Sequence, residues 1–142
     1  ARIFSNADLA WHAAFAQMRG DRPPDSFESN GATNAPDTIL GLDITPAAHF
    51  HDYHYSAQHN ADTHKVHYER ARYVADQHLG NNIRTCGYVT RYPRLLVCLL
   101  SWIYYARVRL WGHRFYQYSS CAEPNRNWRF WLRLLCGRYL RW

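Results

Sequence analysis

The residues of this chain best suited to chemistry lie between Thr45 and Tyr55, in the run Thr45-Pro46-Ala47-Ala48-His49-Phe50-His51-Asp52-Tyr53-His54-Tyr55. Thr45 is a good N-cap and Pro46 suits the first helical position, so the spacing predicts a helix that begins here. His51 and Asp52 then sit about two turns inside it. A histidine in that position can take a proton from water as a general base. The carboxylate beside it points about 100° away around the helix axis, free for a metal. Tyr55 follows His51 at i+4, on the same helix face, where it can pack on that face or orient it.

Two neighbouring segments supply what such a histidine needs. The loop Ser29-Asn30-Gly31-Ala32-Thr33-Asn34-Ala35-Pro36-Asp37 leads through Leu40-Gly41-Leu42-Asp43 into the His51 helix. Calcium requires hard oxygen ligands. A loop rich in Gly and Asn exposes carbonyls, and Asp52 can add a carboxylate. A histidine base also needs a carboxylate on its other ring nitrogen to fix the tautomer and steady the imidazolium. The following helix carries Val74-Ala75-Asp76-Gln77-His78-Leu79-Gly80-Asn81-Asn82-Ile83. A tight hairpin turning at Asn60 would bring residues near Glu69 opposite His51.

His-Asp-x-x-Tyr early in a helix, with an Asn-Gly loop and a Thr-Pro cap before it and Ala75-Asp76 after it, resembles the secreted phospholipase A2 superfamily, in its bacterial, fungal and phage-type branch. The resemblance covers about residues 30–83. It implies a calcium-dependent hydrolase acting on the sn-2 ester of glycerophospholipids. His51 would be the base and Asp76 its partner, with Glu69 as the fallback. Asn30, Gly31 and Asp52 would hold calcium. Asn30 stands where the family has an aspartate, which implies a weaker site. Ala32 and Ala48 stand where the family has a disulfide, so both halves of the bridge are absent together.

Nine histidines make a transition-metal reading worth weighing. His51 with His54, or His64 with His67, has helical spacing for a shared ion. No His-Glu-x-x-His occurs, and the pattern reads instead as surface histidines. Cys86, Cys98, Cys121 and Cys136 form no Cys-x-x-Cys pair, which argues against a zinc ribbon and leaves either two disulfides or four buried thiols.

The positioning elements follow from periodicity and breakers. One domain, residues 1–142, is expected, with a core at about 28–117 and a tail at 118–142. Residues 3–19 read as a short helix, 20–44 as loop, 46–59 as the His51 helix, and 62–85 as a third helix weakened near Gly80-Asn81-Asn82. Residues 94–117 read as a fourth helix and 128–140 as a last short one. The fold class is mainly α: a small helical domain built on two antiparallel helices carrying the His-Asp site, with further C-terminal helices.

The run Leu95–Ala106 reads as too short and too polar to span a membrane. No signal peptide precedes Ala1, and the compartment is left open between secreted and virion-associated, such as a phage protein or secreted effector. The formal net charge of +6 comes mostly from arginine. Together with the basic aromatic tail Trp128–Trp142, it points to a phospholipid membrane surface, with nucleic acid as the less favoured partner. The competing reading is a catalytically weak or inactive basic module with a virion, structural, nucleic-acid-binding or membrane-binding role, its arginines on phosphates.

Overall fold

The structure, a computed structural model, describes residues 3–6, 12–31, 38–60 and 68–117. In chain order they form β1 (Phe4–Ser5), α1 (His12–Phe15), β2 (Glu28–Ser29), β3 (Thr38–Ile39), β4 (Leu42–Asp43), α2 (Thr45–Tyr55), α3 (Tyr68–Val89) and α4 (Arg94–Trp111), followed by a 3-10 turn at Gly112–Arg114. The described part is mainly helical, as the sequence pattern implies.

The three long helices run as successive antiparallel neighbours. Tyr55 on α2 bonds Arg72 on α3, and His51 bonds Asp76, so positions advance along one helix as they retreat along the other. The same holds between α3 and α4, where Arg84 reaches Ser101 and Asp76 reaches Arg109. The core lies where these helices meet: Ile44, Ala47 and Phe50 from the α2 side, Leu79, Ile83 and Cys86 from α3, and Val97, Leu100 and Tyr104 from α4. Leu79, Ile83 and Cys86 recur at helical spacing on one face of α3. Burying a side chain such as Leu79 or Ile83 contributes roughly 1.5–3 kcal/mol.

Several local expectations change. Thr45 is the first helical residue rather than the cap, and its amide donates to Asp43 Oδ1 at 2.9 Å, so Asp43 satisfies that orphan N–H. α2 ends at Tyr55, four residues sooner than expected, where the Ser56 hydroxyl donates to the Tyr53 carbonyl. Residues 3–19 are not one helix: Phe4–Ser5 pairs antiparallel with Glu28–Ser29, and among the described residues of this stretch the helix is His12–Phe15. Within the expected loop, Thr38–Ile39 pairs with Leu42–Asp43. The two-residue turn between them has φ 50° at Leu40 and 87° at Gly41, the positive pair that tight hairpins require. Two-residue strands leave no alternation to read in a sequence.

α3 runs unbroken through Gly80-Asn81-Asn82. Asn82 uses its amide to accept from the Arg19 N–H at 2.7 Å and to donate to the Arg19 carbonyl at 3.1 Å. A residue that reads as weakening the helix is therefore also a clamp on Arg19. The predicted helix at 128–140, the start of the third helix at 62–67, and His64, His67, Cys121 and Cys136 lie outside the described residues. Cys86 is buried and Cys98 exposed, both as free thiols, so neither the bridges nor a fully buried set describes this pair.

The span Arg94–Arg114 is long and apolar enough to cross a membrane by length and composition, with a mean hydropathy of 1.2, contrary to the reading of Leu95–Ala106 alone. Only one face of α4 is covered by α3. Leu95, Leu99, Trp102, Ile103 and Trp111 are exposed among the described residues.

Candidate active site

Residues 51, 52 and 55 reach one pocket because α2 places them there at helical spacing, and α3 and α4 close it. The pocket is about 350 Å³, within the range of small-ligand sites, and is walled by Ile44, Leu79, Tyr104, Val108, Trp111 and Phe115. His51, Asp52 and Tyr55 line it, as do Arg107 and Arg114.

His51 Nε2 lies 2.9 Å from Asp76 Oδ1, with both side chains buried. An ionised carboxylate only accepts, so Nε2 carries the hydrogen, and Nδ1 on the other edge of the ring carries the lone pair. Asp76 is thus the residue the fold brings to His51. Glu69, about two turns earlier on α3, instead pairs with Arg109 at 2.8 Å and Arg72 at 3.3 Å. The pairs His51–Asp76 and Tyr55–Arg72 set a register whose midpoint lies beyond Asn60, which brings Asp76 rather than Glu69 to His51.

Asp76 is the hub of a closed ionic cluster. Its Oδ1 accepts from His51 and from the Tyr55 hydroxyl. Its Oδ2 accepts from Arg72 at 3.2 Å and Arg109 at 2.9 Å. Arg72 also donates to the Val108 and Arg109 carbonyls near the end of α4, where the helix dipole favours a cation. Two carboxylates and two guanidiniums balance in charge, which is what makes their burial tolerable.

Burial pushes the Asp76 carboxyl up, but Arg72, the His51 hydrogen bond and Arg109 outweigh it and hold the group below the usual carboxylate range. Burial and the Asp76 charge raise the Tyr55 hydroxyl well above its ordinary value, so it stays a donor. The ring of Tyr55 also packs on His51, with centroids 4.1 Å apart. His51 is therefore oriented through one nitrogen and braced on one face.

Arg72, Arg109 and the bonding role of Tyr55 escape a motif-based reading. Glu69, Arg72 and Asp76 do share one face of α3 at i, i+3 and i+7, and that spacing was the available signal. Arg109 comes from 33 residues away, and nothing local in the sequence points to it.

The expected calcium ligands are placed less closely. Asp52 lines the His51 pocket, while Asn30 and Gly31 are not among its lining residues. Gly31 is buried with φ 79°, and Asn30 is exposed. Both follow β2, which is pinned to α2 where Ser29 Oγ meets His49 Nδ1 at 2.8 Å. A carboxylate, an amide and a peptide carbonyl are hard oxygen donors of the kind calcium takes, though three fall short of its usual six to eight. Residues 32–37 of the same loop lie outside the described residues.

The described histidines of α2 are not surface residues, and His59 and His78 are half-buried. His49, His51 and His54 are all buried. Burial pushes His49 down to about 4. Burial, reinforced by the His59, His51 and His78 rings, pushes His54 down to about 3. His51 and His54 do not form a metal pair. His54 instead groups with His59 and Asp21, whose donor atoms all lie within 4.8 Å of one another.

No protein-family model matches this chain, and no curated protein or solved structure matches it significantly. The functional reading rests on the site itself.

Proposed function

We propose that the chain is a phospholipase A2-like hydrolase that cleaves the sn-2 ester of glycerophospholipids. The observation that carries this reading is the His51 Nε2–Asp76 Oδ1 bond of 2.9 Å beneath a mainly apolar pocket. No serine, threonine or cysteine lines that pocket among the described residues. A covalent nucleophile is therefore not at hand there, and water is the natural attacking group.

In this scheme His51 Nδ1 removes a proton as the water oxygen bonds to the ester carbonyl carbon. Asp76 holds the ring and stabilises the imidazolium. The tetrahedral intermediate then collapses with cleavage of the bond to the glycerol oxygen, which receives the proton from His51. The products are a fatty acid and a lysophospholipid. The apolar wall of Ile44, Leu79, Tyr104 and Val108 would hold the acyl chain. Arg107 and Arg114 would face the lipid phosphate. Asn30, Asp52 and the Gly31 carbonyl would hold calcium, which when bound supplies a Lewis acid for the developing oxyanion.

The test is release of fatty acid from mixed phospholipid vesicles. The proposal expects release in calcium and a large drop in chelator. No release under either condition would overturn it.

A further inference from the structure

One turn of α2 beyond His51, His54 lines a second cavity together with Gly20, Asp21, His59, Asn60, Ala75 and His78. We propose that Asp21, His54 and His59 form a binding site for a divalent transition metal, zinc being the best fit. The proposal does not rest on the phospholipase reading, because it uses none of the residues assigned there.

Asn60 fixes which nitrogen of His59 carries a hydrogen. Its Nδ2 donates to the His54 carbonyl at 2.7 Å and to the Gln117 carbonyl at 2.8 Å. Those two acceptors fix the orientation of the amide, so its Oδ1 is the acceptor that faces His59 Nδ1 at 2.8 Å. His59 Nδ1 must therefore carry a hydrogen. In the neutral ring Nε2 is then a lone pair, and it points at Asp21 Oδ2 from 2.8 Å. A lone pair against a carboxylate is repulsive unless a cation lies between them. A proton can serve. So can a metal, and a ring whose far nitrogen donates to an amide oxygen is the arrangement that orients metal-binding histidines.

His54 supplies the third donor. Its Nε2 accepts from the Asp21 backbone N–H at 2.9 Å, so that nitrogen too presents a lone pair toward the Asp21 segment. Its Nδ1 is buried without a hydrogen-bond partner among the described residues. A tetrahedral ion with bonds of about 2.0 Å needs donors about 3.3 Å apart. The His59–Asp21 pair, at 2.8 Å, would open slightly, and the other donors, already within 4.8 Å, would close in with the release of one backbone hydrogen bond.

The chain is also held in place for this. Gly20 has φ 92°, and a Cβ there would stand 2.2 Å from His54 Cε1. Only glycine lets residue 21 come this close to His54. Asn82 then clamps the preceding residue through both its backbone N–H and its carbonyl. Asp21 is thus delivered by a pinned segment, although its own side chain is exposed.

Two imidazoles and one carboxylate suit zinc and its neighbours in the transition series, whereas calcium seeks oxygens alone. Three protein donors leave a coordination position for water, open to the cavity that His78 also lines. His78 Nδ1 is likewise buried without a hydrogen-bond partner among the described residues.

The test is titration of the tag-free chain with zinc by calorimetry, repeated with cobalt as a spectroscopic substitute. One zinc per chain is expected, with a rise in melting temperature and tetrahedral cobalt absorption. Asp21→Asn and His59→Gln should each weaken zinc binding by at least 10-fold to 100-fold. Asp21 is exposed, so that variant keeps its fold, and an unchanged melting temperature without metal checks it. His51→Gln should bind zinc as the parent does, and excess calcium should not displace the ion. Absence of zinc binding overturns the proposal. So does binding that Asp21→Asn and His59→Gln leave intact, since the ion would then sit elsewhere.

Discussion

His51 and His54 stand three residues apart on α2, both buried, in opposite chemical settings. His51 meets a carboxylate from α3 that two guanidiniums keep ionised. His54 meets other imidazoles and a backbone amide, and its basicity collapses to about 3. One ring is held with a proton on the buried nitrogen and a lone pair toward a pocket. The other is held neutral against the Asp21 backbone N–H, while the Asp21 carboxylate bonds His59. The lesson is that the helix supplies equivalent rings, and the elements packed against each face decide what they can do.

The sharpest way to break the comparison is to remove the charge that distinguishes the His51 side. Asp76→Asn leaves Arg72 and Arg109 facing Glu69 alone in a fully buried site. Loss of one partner from such a cluster costs about 3–5 kcal/mol. Chemical denaturation should show a destabilisation of that size, with a slope like the parent's. A loss under about 1 kcal/mol would mean that the cluster is not the stabilising hub described here.

The other side is probed by acid. His49 and His54 have folded values near 4 and 3, below the ordinary value near 6.5. Between those limits the unfolded chain binds more protons than the folded one, so stability rises with pH and falls on acidification below about 6.5. By pH 5 the loss reaches up to about 2 kcal/mol per ring. Thermal melts in chelator from pH 7.5 to 4.5 should show that decline. His49→Asn, which can keep the Ser29 bond, should make it shallower. Parallel curves for the two proteins would show that His49 is not a source of the acid sensitivity.

A smaller effect concerns the loop beside His49. Asn30→Asp adds an anionic oxygen next to Gly31 and should tighten calcium binding, on the order of tenfold. Calorimetry on both proteins reads it directly. Equal affinities would remove Asn30 from the ligand set.

Much of this contrast was legible in the sequence on one side only. Pro46 and the helical spacing placed His51, Asp52 and Tyr55 together on α2, and a carboxylate from the next helix was required by the chemistry of the base. The antiparallel α2–α3 pair followed from the same residues. The partners of Asp76 were not legible in full, because Arg109 meets it through the α3–α4 packing rather than through local spacing. The Asp21–His54–His59 group was hidden for the same reason: Asp21 lies 33 residues before His54 in a stretch that reads as loop. The helix through Asn82 was legible, but its side-chain bonds to Arg19, which offset its weak helix propensity, were not. Ile44 rather than Thr45 stands at the cap position of α2, and the Thr45 N–H goes to the Asp43 side chain because the chain enters the helix straight from β4.

The central claim is that His51, oriented by Asp76, is the base for ester hydrolysis, and a comparison of the parent with His51→Gln tests it most directly. Fatty acid release from the sn-2 position of phospholipid vesicles in calcium is the readout. The account predicts that the variant loses activity by on the order of 10²-fold or more, with a melting temperature close to the parent's. Release by His51→Gln at the parent's rate would contradict it.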